Sequence, residues 1–162
     1  MSEILMPFPP NLRFCELHSL SQNALNALSD LQAECLDEAW SSDVLADMIE
    51  NQSAFGFGLF EEESCIGFCI YLPCAENCEL VSIAMAPTGR GLGLGLHLLN
   101  KGEAISRAKG FERILLEVAT DNEPARKLYA ADGYAQDGVR KRYYRRPNGP
   151  ACDAILMSKP IK

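Results

Sequence analysis

Four glycines alternate along Gly89-Arg90-Gly91-Leu92-Gly93-Leu94-Gly95. Glycine loses more backbone freedom on folding than any other residue, so four within seven positions are costly unless the conformations open to glycine are used. The segment before them, Glu79 to Met85, reads as a strand. The segment after them, Leu96 to Lys109, carries Leu98, Leu99, Gly102 and Ile105 at helical spacing and stops at Gly110. A glycine loop between a strand and a helix brings its backbone close to a ligand and converges its N–H groups into a nest. The unpaired donors and positive dipole end of the helix add to that nest. The arrangement is a cradle for a diphosphate; a flexible loop without a ligand is the alternative. No Gly-Lys-Ser/Thr is present for a nucleotide P-loop, and no GxGxxG can be drawn through glycines that alternate.

The remaining elements order themselves around this unit. After an opening strand, Ser19 to Leu36 places Leu20, Ala24, Leu28, Leu31 and Cys35 at helical spacing. Ser41 or Ser42 caps a second helix whose apolar stripe is Val44, Leu45, Met48 and Ile49. Strands follow at residues 55–60 and 65–72, joined by a turn at 61–64, and a turn at 73–78 leads into the strand at 79–85. Arg113 to Val118 is a buried strand. Asn122 caps a further helix, with Pro124 in its first turn and Gly133 at its end. Strands at 139–145 and 154–157 flank a turn at Pro147-Asn148-Gly149. Short turns make the early strands antiparallel, whereas strand–helix–strand from Glu79 to Val118 forces a parallel pair. The expected fold is therefore α+β: a mixed, mostly antiparallel sheet with helices on both faces, in one domain spanning residues 1–162.

Composition narrows the function. An apolar fraction of 48% suits a globular chain. No apolar run is long enough to cross a bilayer. Met1 to Pro7 lacks the basic and apolar regions of an export signal, so a cytoplasmic location is expected. A net charge of −7 disfavours nucleic acid as the main partner. Seven cysteines (15, 35, 65, 69, 74, 78 and 152) include no CxxC pair; they read as small buried hydrophobes, with no metal site expected.

Arg90-x-x-Gly93-x-Gly95, preceded by Ile83-Ala84-Met85 and Pro87, resembles the coenzyme A-binding motif of GNAT acetyltransferases. The resemblance runs from about Leu31 to Pro160. Within that family it is most similar to the RimI-type ribosomal-protein alanine N-acetyltransferases. It is carried by Leu116-Glu117-Val118, Asn122, Leu128-Tyr129, Gly133-Tyr134, Arg142-Tyr143-Tyr144, Gly149 and Asp153-Ala154-Ile155-Leu156-Met157. Ala39-Trp40-Ser41 resembles the entry to the second helix. Glu38-Ala39 stands where the family usually has Phe-Pro, and Cys152 replaces a frequent acidic residue.

The resemblance implies the GNAT fold, acetyl-coenzyme A as co-substrate and a protein N-terminal amine as acceptor. The expected target is an alanine-first ribosomal protein, S18, and the enzyme is expected to be monomeric. A GNAT acting on a small amine or a lysine is the second reading, and a non-catalytic acyl-coenzyme A-binding module the third. Glu117, a charge inside an otherwise apolar strand, either pairs with a basic neighbour or is the general base, acting through a water. Tyr129 either packs under the sheet or is the general acid that protonates the leaving thiolate. Ile83, Ala84, Met85, Arg90, Gly91, Leu92, Gly93, Leu94, Gly95, Leu96, Asn122 and Tyr129 are expected around the coenzyme. Strands at Met85 and Leu115 are expected to part for its pantetheine arm. Trp40, Tyr143, Tyr144 and Asp153 are expected along the acceptor. The basic run Arg140-Lys141-Arg142 with Arg145-Arg146 is an exposed hairpin face or a contact to phosphates of the coenzyme or of rRNA.

Overall fold

In a computed structural model of the chain, residues 7–162 are described, so most of the segment read for an export signal lies outside them. The elements are β1 (Leu12–Glu16), α1 (Gln22–Cys35), α2 (Ser42–Glu50), β2 (Phe55–Glu61), β3 (Ser64–Cys74), β4 (Asn77–Met85), α3 (Leu94–Ala108), β5 (Arg113–Ala119), α4 (Glu123–Ala131), β6 (Ala135–Arg146) and β7 (Gly149–Pro160). They form a seven-stranded sheet in the order β1-β2-β3-β4-β5-β7-β6. Only β4 and β5 run parallel, joined by α3, as the strand–helix–strand spacing requires.

Local chemistry sets the helix starts. Ser21 accepts from the Ala24 N–H, so α1 begins at Gln22 rather than at Ser19, and Leu17–Ser19 forms a separate 3₁₀ turn. Ser41 accepts from Val44 N–H and is the cap of α2. Asn122 accepts from Ala125 N–H and opens α4, with Pro124 in the first turn.

Alternation along the strands sends side chains to two cores. On one face Phe57, Leu59, Leu80, Leu116 and Val118 pack with Leu94, Leu98 and Leu99 of α3 and Tyr129 of α4. On the other, Phe68 and Ile70 pack with Leu25, Leu28 and Leu31 of α1 and Leu45 of α2.

One irregularity shapes the middle of the sheet. Tyr71 lies opposite Leu80 and Ile70 opposite Ser82, which leaves Val81 as an extra residue in β4. A bulge of this kind bends its strand and increases the local twist. The parallel ladder between β4 and β5 accordingly covers only Cys78, Glu79 and Leu80 against Ile114, Leu115 and Leu116. Leu115 is thus still paired; the strands part only after Leu80 and Leu116, which corrects the expected position of the opening by a residue or two. The terminal hairpin is also longer than its apolar pattern indicated, because polar and basic residues, with a shift of register between Arg140 and Tyr144, carry much of β6.

A buried polar group ties α3, α4 and β7 together. Lys159 Nζ lies 3.0 Å from both carboxylate oxygens of Glu103 and 3.4 Å from Asp132 Oδ2. Burial first, and then the neighbouring Asp132 carboxyl, push the Glu103 carboxyl up from 4.5 to about 7, against the opposing pull of Lys159. Between those two pH values the folded chain keeps a proton that the unfolded chain has released. This group therefore lowers stability progressively as pH rises through that window. Glu103→Gln, which imitates the protonated form, removes that dependence. Urea midpoints measured from pH 4.5 to 8 are expected to show wild type losing stability relative to the variant across that range; a constant difference would exclude the shared proton.

Candidate active site

The glycine loop adopts the conformations its sequence calls for. Gly91 and Gly93 have φ of 76° and 73°, the left-handed region where a side chain is strained, and Gly93 sits at the N-terminus of α3. A Cβ on Gly95 would meet Leu128 of α4 at 3.2 Å, so glycine here lets α3 and α4 abut. The loop thus leads into the first turn of α3, whose N–H groups lack helical partners. Arg90 does not extend from the loop; its Nε donates to the Met85 carbonyl at 3.1 Å, and Cys35 Sγ approaches the same oxygen.

The β4–β5 ladder ends at Leu80 and Leu116, and Glu117 is the next residue of β5. Tyr129 stands on the α3–α4 face, 5% exposed, its ring 5.7 Å from that of Tyr134. Burial holds its hydroxyl well above the usual phenol range, with nearby Tyr144 adding to the effect, so it stays protonated at neutral pH. Val118 and Leu116 point to that same core, so Glu117 between them points to the opposite face, half-buried. The same alternation in β4 puts Glu79, between Cys78 and Leu80, on the Glu117 face.

The β6–β7 hairpin closes over this face through two arginines. Arg140 Nε lies 3.4 Å from Glu117 Oε1, with its guanidinium 5.3 Å from the Tyr143 ring. Arg146 binds Asp121 in a fork, at 2.7 and 3.2 Å, and lies 5.7 Å from the Tyr144 ring. Burial and the Glu117 charge push the Tyr144 hydroxyl up to about 12, with Arg146 opposing. Glu117 therefore has the basic partner that one of its two readings expects, and it lies one residue past the end of the β4–β5 ladder.

The other expected residues fall in different surroundings. Asp153 Oδ1 accepts the Arg142 N–H at 2.8 Å, where Arg142 has φ of 55°, so its carboxylate stabilises a strained kink in the hairpin. Trp40 sits apart from the hairpin tyrosines. Its N–H donates to Gln32 Oε1 at 3.0 Å and its carbonyl accepts from Ser29. Gln32, 2% exposed, also donates to Ser82 beside the bulge at 3.0 Å. The sequence reading passed over Gln32, a polar residue one turn beyond Leu28 on the buried stripe of α1. Two further concavities, of about 340 and 350 Å³, lie elsewhere, beside Phe55 and Lys109 and beside Gln136 and Met157.

Residues 25–134 match the model of the acetyltransferase (GNAT) family. The chain belongs to the GNAT acetyltransferase family. It is 36% identical to a ribosomal protein bS18-alanine N-acetyltransferase of Haemophilus influenzae, over 62% of this chain and 68% of that one. A protein of the same name from Escherichia coli is 27% identical over 90% of this chain and 97% of its own. A crystal structure of the ribosomal-protein-S18-alanine N-acetyltransferase from E. coli superposes with a TM-score of 0.80 at 25% identity, covering 93% of this chain and 94% of that one. A spermidine/spermine N-acetyltransferase of Vibrio cholerae, 21% identical with a TM-score of 0.79 and coverage of 94% and 95%, shares the fold. Membership makes this chain an acetyl-coenzyme A-dependent N-acetyltransferase, and its seven strands and four helices are the GNAT fold.

Two substitutions test the geometry. Gly93→Glu forces a side chain into a left-handed position and sets a negative charge in the phosphate nest; calorimetry is expected to register acetyl-coenzyme A binding to wild type and none to the variant. Gln32→Leu leaves the Trp40 N–H and the Ser82 hydroxyl without their buried partner, and is expected to lower stability by about 1–3 kcal/mol in urea titration. Equal midpoints would show that water replaces the amide.

Proposed function

We propose that this GNAT enzyme moves acetyl from acetyl-coenzyme A to the free α-amine of an alanine-first protein, with ribosomal protein bS18 as the acceptor. The observation that supports the reading is that Glu117 directly follows the last residue of the β4–β5 ladder and that Tyr144 is an electrostatic neighbour of both Glu117 and Tyr129. The names of the Haemophilus and Escherichia relatives support the choice of acceptor. On this reading the enzyme works beside its ribosomal acceptor in the cytoplasm, as a monomer.

The residues fit the co-substrate. The glycine loop and the first turn of α3 offer backbone donors to the pyrophosphate, with Gly91 and Gly93 in conformations that keep the backbone accessible. Ile83, Ala84 and Met85 line the β4 side of the opening, Leu92, Leu94 and Leu96 flank the glycines, and Asn122 lies at the head of α4. Arg90 reaches phosphate by exchanging its bond to the Met85 carbonyl.

Glu117 takes a proton from the incoming ammonium through a water, and the neutral amine attacks the thioester carbonyl. Backbone N–H groups near Met85 steady the charge that develops on that oxygen. Tyr129, kept protonated by burial, gives its proton to the departing thiolate. The hairpin tyrosines Tyr143 and Tyr144 and, apart from them, Trp40 contact the acceptor, and Asp153 acts by holding the hairpin kink.

The choice of an α-amine follows from proton availability. An α-amine with a pKa near 8 is neutral in roughly a tenth of molecules at pH 7, whereas a lysine near 10.4 is neutral in a few per ten thousand. One carboxylate acting through water suits the first. Thiol release is therefore expected with a free alanine-first peptide and little with a peptide blocked at its terminus but carrying lysine; equal rates would refute the assignment. Glu117→Gln is expected to lose on the order of 10²-fold at neutral pH and to recover part of it as solution deprotonates the amine. Tyr129→Phe is expected to lose on the order of 10–10³-fold in turnover with coenzyme binding nearly unchanged. A Glu117→Gln profile parallel to wild type, or full turnover in Tyr129→Phe, removes that residue from its role.

A further inference from the structure

The face of the sheet that carries Glu117 also carries Glu79 and Arg113, and the Arg113 guanidinium donates to Ser158. Glu79 pairs in register with Leu115, two residues before Glu117 on the neighbouring parallel strand, and points to the same side. Residues so placed are diagonal neighbours, within reach of long side chains. The cation nearest to both is Arg140, and it is committed to Glu117 at 3.4 Å. Among the described residues no lysine or arginine forms an ion pair with Glu79. Tyr144, the other titratable group beside Glu117, keeps its proton and supplies no charge.

We propose that Glu79 is a specificity residue for the N-terminal amine: its carboxylate receives the acceptor as an ammonium ion and holds it beside Glu117, which then removes the proton. This deepens the function proposed above and rests on it. A half-buried carboxylate without a counter-ion is unfavourable, and an arriving cation relieves that cost. Consistent with this, burial and then the Glu117 charge raise the Glu79 carboxyl, while Arg140 opposes them only in part. The position suits the task. Glu79 lies on the last paired stretch of β4, two residues before the bulged Val81 and next to the end of the ladder with β5. The trio Glu79, Glu117 and Arg140 carries a net charge of −1, which one ammonium neutralises and a neutral chain end does not.

Calorimetry on the enzyme saturated with coenzyme A at pH 6.5 tests this with two peptides of one sequence. One begins with a free alanine; the other begins with a propionyl group, which keeps the shape of alanine and lacks its nitrogen charge. Wild type is expected to prefer the free amine. Glu79→Gln is expected to weaken binding of the amine peptide by about tenfold and to leave the propionyl peptide unchanged or slightly tighter. If the variant weakens both peptides equally, Glu79 shapes the fold around the opening and the proposal falls. If it weakens neither, the carboxylate does not meet the amine and the proposal falls. If wild type binds neither peptide while still binding coenzyme, the N-terminal acceptor reading fails and takes the proposal with it. Glu79→Asp serves as a second variant: it keeps the charge on a shorter arm and is expected to restore part of the discrimination between the two peptides.

Discussion

A single extra residue in β4 governs the architecture of the site. Val81 has no counterpart on β3, and the bend it introduces comes where β4 would otherwise continue pairing with β5. Two unpaired strand edges in the middle of a sheet are normally a fault, since each exposes a row of donors and acceptors. Here the exposed edges are what an extended, amide-bearing pantetheine arm can pair with. The rest of the molecule holds this opening in place: α3 bridges the two diverging strands, Gln32 secures the bulge from α1, and β7 braces β5 along its whole length.

On the proposed mechanism, groups from the two faces of the sheet address one reacting centre. Glu117 belongs to the face that α1 and α2 cover only in part, and Tyr129 to the core under α3 and α4. Their environments differ accordingly. The carboxylate keeps access to water and a guanidinium partner, which suits a group that must be ionised. The phenol is packed in an apolar setting, which suits a group that must keep its proton until a thiolate appears.

The glycine loop, the order of elements and the parallel pair were legible in the sequence because each has a short-range cause: turn chemistry, capping and periodicity. Glu117 and Tyr129 were proposed through a motif resemblance, and Glu117 also stood out as a charge in an apolar strand. The start of the opening was not, because a bulge is a mismatch between two strands and neither strand records it alone. Asp153 illustrates a different gap. Its position was marked as significant, but its partner is the backbone of Arg142, eleven residues away, and only the fold brings them together. Trp40 likewise was noted only for its resemblance to the entry of the second helix, and the fold alone shows that Gln32 binds its backbone and that its ring packs on the core.

The terminal hairpin divides into two stretches with different obligations. From Ala154 to Pro160, β7 is bonded to β5 residue by residue, so any slip there would displace Glu117. From Gly149 to Asp153 it extends past the end of β5, where, among the described residues, its strand partner is β6. Insertions or shortened turns around Pro147 and Asn148 can therefore reshape the lip without disturbing the reaction centre. On the acceptor reading proposed above, a few codons at this tip are free to change which amine is served while the pairing that holds Glu117 is inherited unaltered.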